Sequence, residues 1–447
     1  MPFNTYSFLL LLIPGVSLFW ALPPAARRWY VLALSLAYYA MWNAAFLAVP
    51  LLLCAGVHLA ARQGPRCLWG GIAFVLAMFI VFRAPLTATV PAGISFYAFA
   101  AIAYLIDNKQ GRIQDGSFTK LFRFVMFWPT LIAGPILRFR ELSPQLGFTK
   151  PFELSMLLRG MDRLVLGLVQ KNFIANTLSG WVDQGFLPNA VRANTTLDNW
   201  ALAIAFGLEI YFDFAAYSNM AIGTAQLIGV ALPENFRFPY HAASPPDFWS
   251  RWHMTLSRWV RDYLFFPVNA RFKAAPVPLY ASLLGIMALV GLWHGAGWGF
   301  VLWGAMHGAY LTFYRIWENL SDARMPGLAN SRLAAWWWRI FTLMAVTTAW
   351  VPFRAATGAD TFAMLASMFG RWRFGISYGV NFYLVTLMVA AFCVVEPYVG
   401  SAWSHAASWM EDHPAARYLL RPLAYAAGLM LFLIFDDRSK QFIYFQF

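Results

Sequence analysis

Charge is what this chain has least of. Asp, Glu, Lys and Arg make up 12% of its 447 residues, about half the roughly one-quarter found in soluble domains, which excludes an ordinary soluble fold. Cysteine is scarce too. Cys54, Cys67 and Cys393 show no paired spacing and two of them sit inside apolar runs, so no disulfide framework and no zinc site is implied, and each reads as a small buried hydrophobe. Internal repeats, low-complexity tracts and soluble-domain stretches at either end are lacking, so residues 1–447 read as one polytopic domain. The first run, "MPFNTYSFLLLLIPGVSLFW", lacks the basic residues that open a cleaved signal peptide. It is expected to be a retained first span.

What the chain does have is hydrocarbon and rings: 60% of its residues are hydrophobic and 18% aromatic. Runs 1–26, 29–61, 84–106, 274–314 and 374–395 carry no charged side chain. Each exceeds or matches the roughly 20 apolar residues a helix needs to cross a bilayer, and some must cross twice. Adding segments at 163–180, 199–231, 336–353 and 418–435 gives an all-α membrane protein with about 11 to 12 crossings. The net charge of +13 follows the positive-inside rule rather than pointing to nucleic acid: Arg27 and Arg28 follow span one, Arg62 and Arg66 span three, and Lys109, Arg112, Lys120 and Arg123 span five. The alternate connections hold one arginine between them. This places the N-terminus outside and the basic loops in the cytoplasm.

Two segments break the regular alternation. "FRFVMFWPTLIAGPILRFR" is short, carries Pro129, Gly134 and Pro135 and has arginines on both flanks, which suits a re-entrant or interfacial segment buried in protein. "DFWSRWHMTLSRWVRDYLFF", residues 247–266, projects as an amphipathic helix, with Phe248, Trp249, Trp252, Leu256, Trp259, Val260, Tyr263 and Leu264 on one face. Asp247, Arg251, Arg258, Arg261 and Asp262 share the other. Such a helix lies in the cytoplasmic interface with its arginines among headgroups. His253 interrupts its apolar side.

Intramembrane polar groups complete the inventory. Glu209, Asp213 and Tyr217 recur every four residues in "LEIYFDFAAYSNMAIG", hence on one helical face. Either they line a hydrated passage or they are structural, paired with an arginine of another helix. His294 and His307 stand in the charge-free run 274–314. Gly291, Gly295, Gly297 and Gly299 surround the first, and Gly304 and Gly308 flank the second. "GLWHGAGWG" therefore reads as a break in a span that lets a backbone or a ligand come close. A lone histidine on an apolar face is usually a satisfied core residue. Three in one membrane domain invite another reading. Metal binding is disfavoured, because the histidines lack an i, i+4 pairing and no carboxylate or cysteine is local. Nucleophilic catalysis lacks a Gly-x-Ser-x-Gly elbow or a cysteine beside a histidine. General-base catalysis by a neutral, desolvated imidazole remains open.

Taken in order, "MPFNTYSFLLLLIP", "PAGISFYAFAAIAYLID", "FWPTLIAGPILRFRELSPQL", "EIYFDFAAYSNMAIG", "LPENFRFPY", "FWSRWHMTLSRWVRDYLFFP", "GLWHGAGWGFVLWGAMHG", "WVPFRA" and "FIYFQF" extend nearly the full length. In these motifs the chain resembles the membrane-bound O-acyltransferase family, in its bacterial alginate O-acetyltransferase branch. The resemblance implies a ring of helices around a thinned membrane centre with a central tunnel. It also implies that His294, in the Trp-His-Gly motif, is the catalytic residue. His253, in the Arg-Trp-His motif, would hold the second active-site position, with His307 supporting or structural. After "DYLFFP" the branch commonly has a Gly-Gly-Asn-Arg type loop, whereas this chain reads "VNARFKAAPVP", which departs from any docking detail borrowed for 268–276.

The function expected on that basis is O-acetylation of a secreted polysaccharide, with acetyl-CoA as cytoplasmic donor, no bound cofactor or metal, and a bacterial inner-membrane location with a periplasmic N-terminus. The expected acceptor is the secreted polysaccharide or, as the resemblance to the alginate system implies, a periplasmic acetyl-transfer partner protein. The basic face of Arg251, Arg258 and Arg261, with Arg271 and Lys273 beyond, would either meet donor phosphates or anchor the helix to anionic lipid. Two alternatives stand beside it: a D-alanyl or other acyl transferase fed by a carrier protein, and a non-enzymatic transporter or flippase.

Overall fold

The computed structural model of the chain describes residues 3–83, 90–271, 276–324, 331–437, 440 and 442–443. Among the described residues every regular element is helical. The N-terminal helices are α1 (Tyr6–Ala21), α2 (Pro24–Asn43), α3 (Ala48–Arg62), α4 (Leu68–Arg83) and α5 (Ile94–Lys109). Their limits follow from local chemistry: the Thr5 side chain accepts from the Phe8 N–H at 3.3 Å, and Pro24 opens α2 at a position where a missing N–H costs nothing. Three short helices follow, α6 (Phe118–Val125), α7 (Trp128–Leu131) and α8 (Phe139–Leu142). Then come α9 (Leu154–Val169), α10 (Asn176–Gly185), α11 (Pro188–Ala193) and the long α12 (Thr196–Leu227). A π-helical turn, Gln170–Ala175, joins α9 to α10, so the span expected at 163–180 is two helices joined through a widened turn.

Among the described residues, five helical runs are long and apolar enough to cross a membrane: Pro24–Arg62, Thr196–Leu227, Val277–His294, Val380–Asp412 and Pro414–Ile434. Of the apolar window in α12, 94% is buried, against 17% to 33% in the other four. α12 is therefore enclosed by protein, while the other four offer apolar surface suited to lipid. Other crossings expected from the sequence fall on helices below that length or apolarity, such as the 16-residue α5 and α9.

The chain divides into two compact units. The first is Met1–Leu168 with Ala216–Asn235. Here the segment expected to be re-entrant is broken into α6, α7 and α8, with irregular, buried backbone from 132 to 137. Gly134 there has φ +115°, a conformation other residues rarely adopt. Arg27, expected as a loop cation, is 8% exposed. Its guanidinium donates to the carbonyls of Leu22 and Trp20 at 3.0 and 3.3 Å and lies over the Trp20 ring.

The second unit is Val169–Ala215 with Phe236–Phe447. It holds α10, α11, the first part of α12, α13 (Pro245–Arg251), α14 (Met254–Val260), α15 (Phe266–Arg271), α16 (Pro276–His294), α17 (Trp298–Arg324), α18 (Arg332–Arg354), α19 (Gly358–Phe369), α20 (Val380–Asp412) and α21 (Pro414–Ile434). Asp198 anchors the start of α12: its carboxylate accepts from the N–H groups of Thr195 and Ser377 at 2.7 and 3.1 Å and from the Tyr383 hydroxyl. All three histidines singled out in the sequence belong to this unit.

Candidate active site

Helix α16 ends on His294, and α17 begins at Trp298 with the Phe300 N–H donating to the Gly297 carbonyl at 3.1 Å. The chain reverses there. A Cβ on Gly291 would lie 2.1 Å from the Phe300 carbonyl oxygen, and one on Gly304 2.1 Å from that of Met287. Of the two readings the sequence left open, these glycines serve backbone approach between packed helices rather than room for a ligand. His294 is thereby held in a nest of rings: Trp293 at 4.6 Å, Trp303 at 5.2 Å edge-on and Phe353 at 5.2 Å edge-on.

The segment 247–266 is not one continuous helix. Ser244 accepts from the Asp247 N–H at 3.3 Å while the Asp247 carboxylate accepts from the Ala243 N–H at 2.9 Å, a reciprocal cap that starts α13. Burial works against ionisation of Asp247, but Arg251 and the Ala243 N–H hold its carboxyl below the usual carboxylate range. Trp252 closes α13 by donating to the Phe248 carbonyl at 2.8 Å, and His253 then adopts φ 40°, ψ 53°. Its own carbonyl accepts from the Ser257 N–H at 3.0 Å and opens α14. Across this left-handed step both successive side chains face inward: Trp252 is 3% and His253 1% exposed. A second break, the π turn Arg261–Phe265, precedes α15.

Sidedness survives these breaks. Phe248, Leu256, Trp259 and Tyr263 are buried and Arg261 is exposed. Arg251 pairs with Asp247 at 2.8 Å, Arg261 with Asp262 at 2.8 Å, and Arg258 donates to the Met254 carbonyl at 3.2 Å. Arg271 is exposed at the end of α15, and Lys273 lies outside the described residues.

The imidazole of His253 meets Phe214 edge-on at 4.7 Å and lies 6.5 Å from the Trp293 ring that also touches His294. The two imidazoles are near enough to interact electrostatically. His307, on α17, is packed among Phe248, Trp249 and Trp303, with Trp303 at 4.9 Å on one side and 5.2 Å from His294. Residues from α13, the α13–α14 break, α16 and α17 thus converge on one aromatic nest, which Trp350 and Phe353 of α18 complete.

A left-handed conformation costs an L-residue other than glycine about 1–2 kcal/mol. His253→Gly is accordingly expected to be more stable than His253→Ala by about 1 kcal/mol, read as a higher thermal midpoint in detergent. Equal midpoints would show that the backbone at 253 is unstrained.

Glu209 and Asp213 both line a cavity of about 180 Å³, together with Lys171, Asp183, Phe300, Phe353, Arg354 and Lys440 among others. Asp213 follows the structural alternative, though with a lysine: Lys171 lies 2.6 Å away, both side chains 2% exposed. Its second oxygen accepts from the Ile443 N–H at 2.9 Å. Tyr217 is not among the cavity residues and packs against Phe3 at 5.0 Å. Sequence reasoning missed Lys171, although a single cation in the apolar stretch "LVQKNFIA" was the signal that could have found it. Asp183, Arg354 and Lys440 carried no such signal.

Comparison with known proteins bears directly on this nest. A model of MBOAT, the membrane-bound O-acyltransferase family, matches residues 26–353, which takes in all three histidines. The chain belongs to the membrane-bound O-acyltransferase family. It is 34% identical over 409 residues to a "Probable alginate O-acetylase AlgI" of Azotobacter vinelandii, covering 83% of this chain and 79% of that one. To a peptidoglycan O-acetyltransferase of Helicobacter pylori it is 30% identical, over 78% of this chain and 74% of the other. A teichoic acid D-alanyltransferase of Bacillus subtilis is 29% identical over 51% of this chain and 59% of its own. The chain is thus a multi-pass membrane protein of an acyltransferase family that draws on acyl-CoA-like donors.

Proposed function

We propose that the protein is an O-acetyltransferase of the alginate-acetylase branch, moving acetyl groups from cytoplasmic acetyl-CoA across the bacterial inner membrane for O-acetylation of a secreted polysaccharide. The observation that carries this reading is the convergence of His253 and His294, 41 residues apart, on the Trp293 ring inside a buried aromatic nest. His294 takes the proton of an acceptor hydroxyl as that oxygen attacks the thioester carbonyl carbon. The tetrahedral oxyanion collapses, the carbon–sulfur bond breaks, and the departing thiolate recovers the proton from the imidazolium. His253 positions a reactant or steadies the oxyanion by donating a hydrogen bond. His307 has a supporting place, separated from His294 by the Trp303 ring.

A membrane enzyme suits this task because donor and acceptor are made on opposite sides, and a tunnel lets one site serve both. The immediate acceptor is a hydroxyl of the secreted polysaccharide, or of a periplasmic partner protein that completes delivery to it. The arginines of the segment 247–266 anchor it to anionic headgroups, Arg261 being exposed on its polar side.

The 29% identity to a teichoic acid D-alanyltransferase favours a second reading, in which a carrier protein supplies a D-alanyl group. Proteoliposomes given acetyl-CoA or a D-alanyl carrier thioester separate the two. Thioester cleavage is expected with acetyl-CoA, and cleavage confined to the carrier thioester would overturn the acetyl reading.

A further inference from the structure

The cavity beside Glu209 has properties that a proton-transfer role for the histidines does not explain. Its cations are committed: Lys171 to Asp213, Arg354 to Asp183 at 2.8 Å, and Lys440 also to Asp183. Among the described residues lining it, each of these cations therefore already faces a carboxylate. Glu209 differs from the other two carboxylates. It is 6% exposed, and its Oε2 has no hydrogen-bond partner among the described residues. A buried acceptor left unmade is costly, so such a group is conserved in a structure only where something else satisfies it. An ionised carboxylate only accepts, whereas a protonated carboxyl can also donate, and a hydroxyl, being both donor and acceptor, partners either form.

The walls show where that hydroxyl would sit. Phe300 and Phe353 line the cavity and pack on each other at 4.9 Å, and the Phe353 ring also lies 5.2 Å from the His294 imidazole. One aromatic side chain therefore separates the cavity from the proposed base. Its volume of about 180 Å³ exceeds the roughly 150 Å³ that holds a benzene ring, enough for a ring-sized polar group. We propose that this cavity receives the hydroxyl-bearing end of the acyl acceptor, and that Glu209 is the residue whose carboxyl oxygen accepts the hydroxyl's hydrogen bond. The inference rests on the acyltransferase reading above and adds the acceptor's place in the molecule.

The test uses the full chain in proteoliposomes with acetyl-CoA as donor and methyl β-D-glucoside as hydroxyl probe, thioester cleavage being followed as the probe is titrated. Wild type is expected to respond to the probe with saturation. In Glu209→Leu, which removes the acceptor, the half-saturating probe concentration rises about tenfold, while the KM for acetyl-CoA changes less than twofold. Ala175→Leu, which narrows the cavity from another wall, raises the same constant without touching the carboxyl group, and so covers the case in which Glu209→Leu fails to fold. A wild type that ignores the probe, or a Glu209→Leu protein that matches wild type, overturns the inference. Should His294→Ala cleave the thioester as fast as wild type, the acyltransferase reading fails instead.

Discussion

Replacing His294 by alanine is expected to lower acetyl transfer by about 10²- to 10⁴-fold, the range a positioned general base supplies. The C-terminus of α16 presents this imidazole to the nest, where Trp293, Trp303 and Phe353 pack around it. Binding of acetyl-CoA should change little, because an interaction made mainly in the transition state lowers kcat and kcat/KM together. In cells the polymer should be made in normal amount with its acetyl groups missing. A transporter would show the reverse, altered export of polymer that is still acetylated. If purified His294→Ala turned over acetyl-CoA at the wild-type rate, the catalytic assignment would fail.

Asp213→Ala is expected to be the most destabilising single change outside the nest. Its carboxylate holds Lys171 at 2.6 Å and the Ile443 N–H at 2.9 Å, with both charged side chains 2% exposed. Removing it breaks a buried ion pair, which typically costs about 3–5 kcal/mol, and takes the acceptor from a buried backbone N–H as well. Lys171→Met combined with Asp213→Leu should recover most of that loss, since an apolar pair avoids desolvating two charges. Thermal unfolding in detergent checks both. An Asp213→Ala protein as stable as wild type would mean that water reaches and satisfies Lys171.

The contrast between Glu209 and Asp213 marks a limit of sequence reading. Their spacing puts them on one helical face, and both do line the same cavity. Nothing in that spacing distinguishes them. The difference arises because Lys171 belongs to a π-helical turn on another segment and Ile443 lies 230 residues beyond Asp213. Tyr217 shows the converse, sharing the four-residue spacing yet packing against Phe3. A face of a helix 32 residues long meets different neighbours along its length.

What the sequence by itself determined was whatever depends on composition and short-range periodicity. Scarce charge and long apolar runs made the chain an all-helical membrane protein, and the Trp-His-Gly and Arg-Trp-His motifs tied it to a family. Sidedness along 247–266 was likewise legible, because inward and outward residues are set by local polarity. Only the tertiary structure decided that this segment breaks at His253. A helical projection assumes one axis throughout, whereas the backbone leaves that axis at His253, with φ 40°. The same holds for Gly291 beside His294, where a Cβ would lie 2.1 Å from the Phe300 carbonyl oxygen. Such contacts join residues whose separation is fixed by packing between helices, which local sequence patterns do not encode.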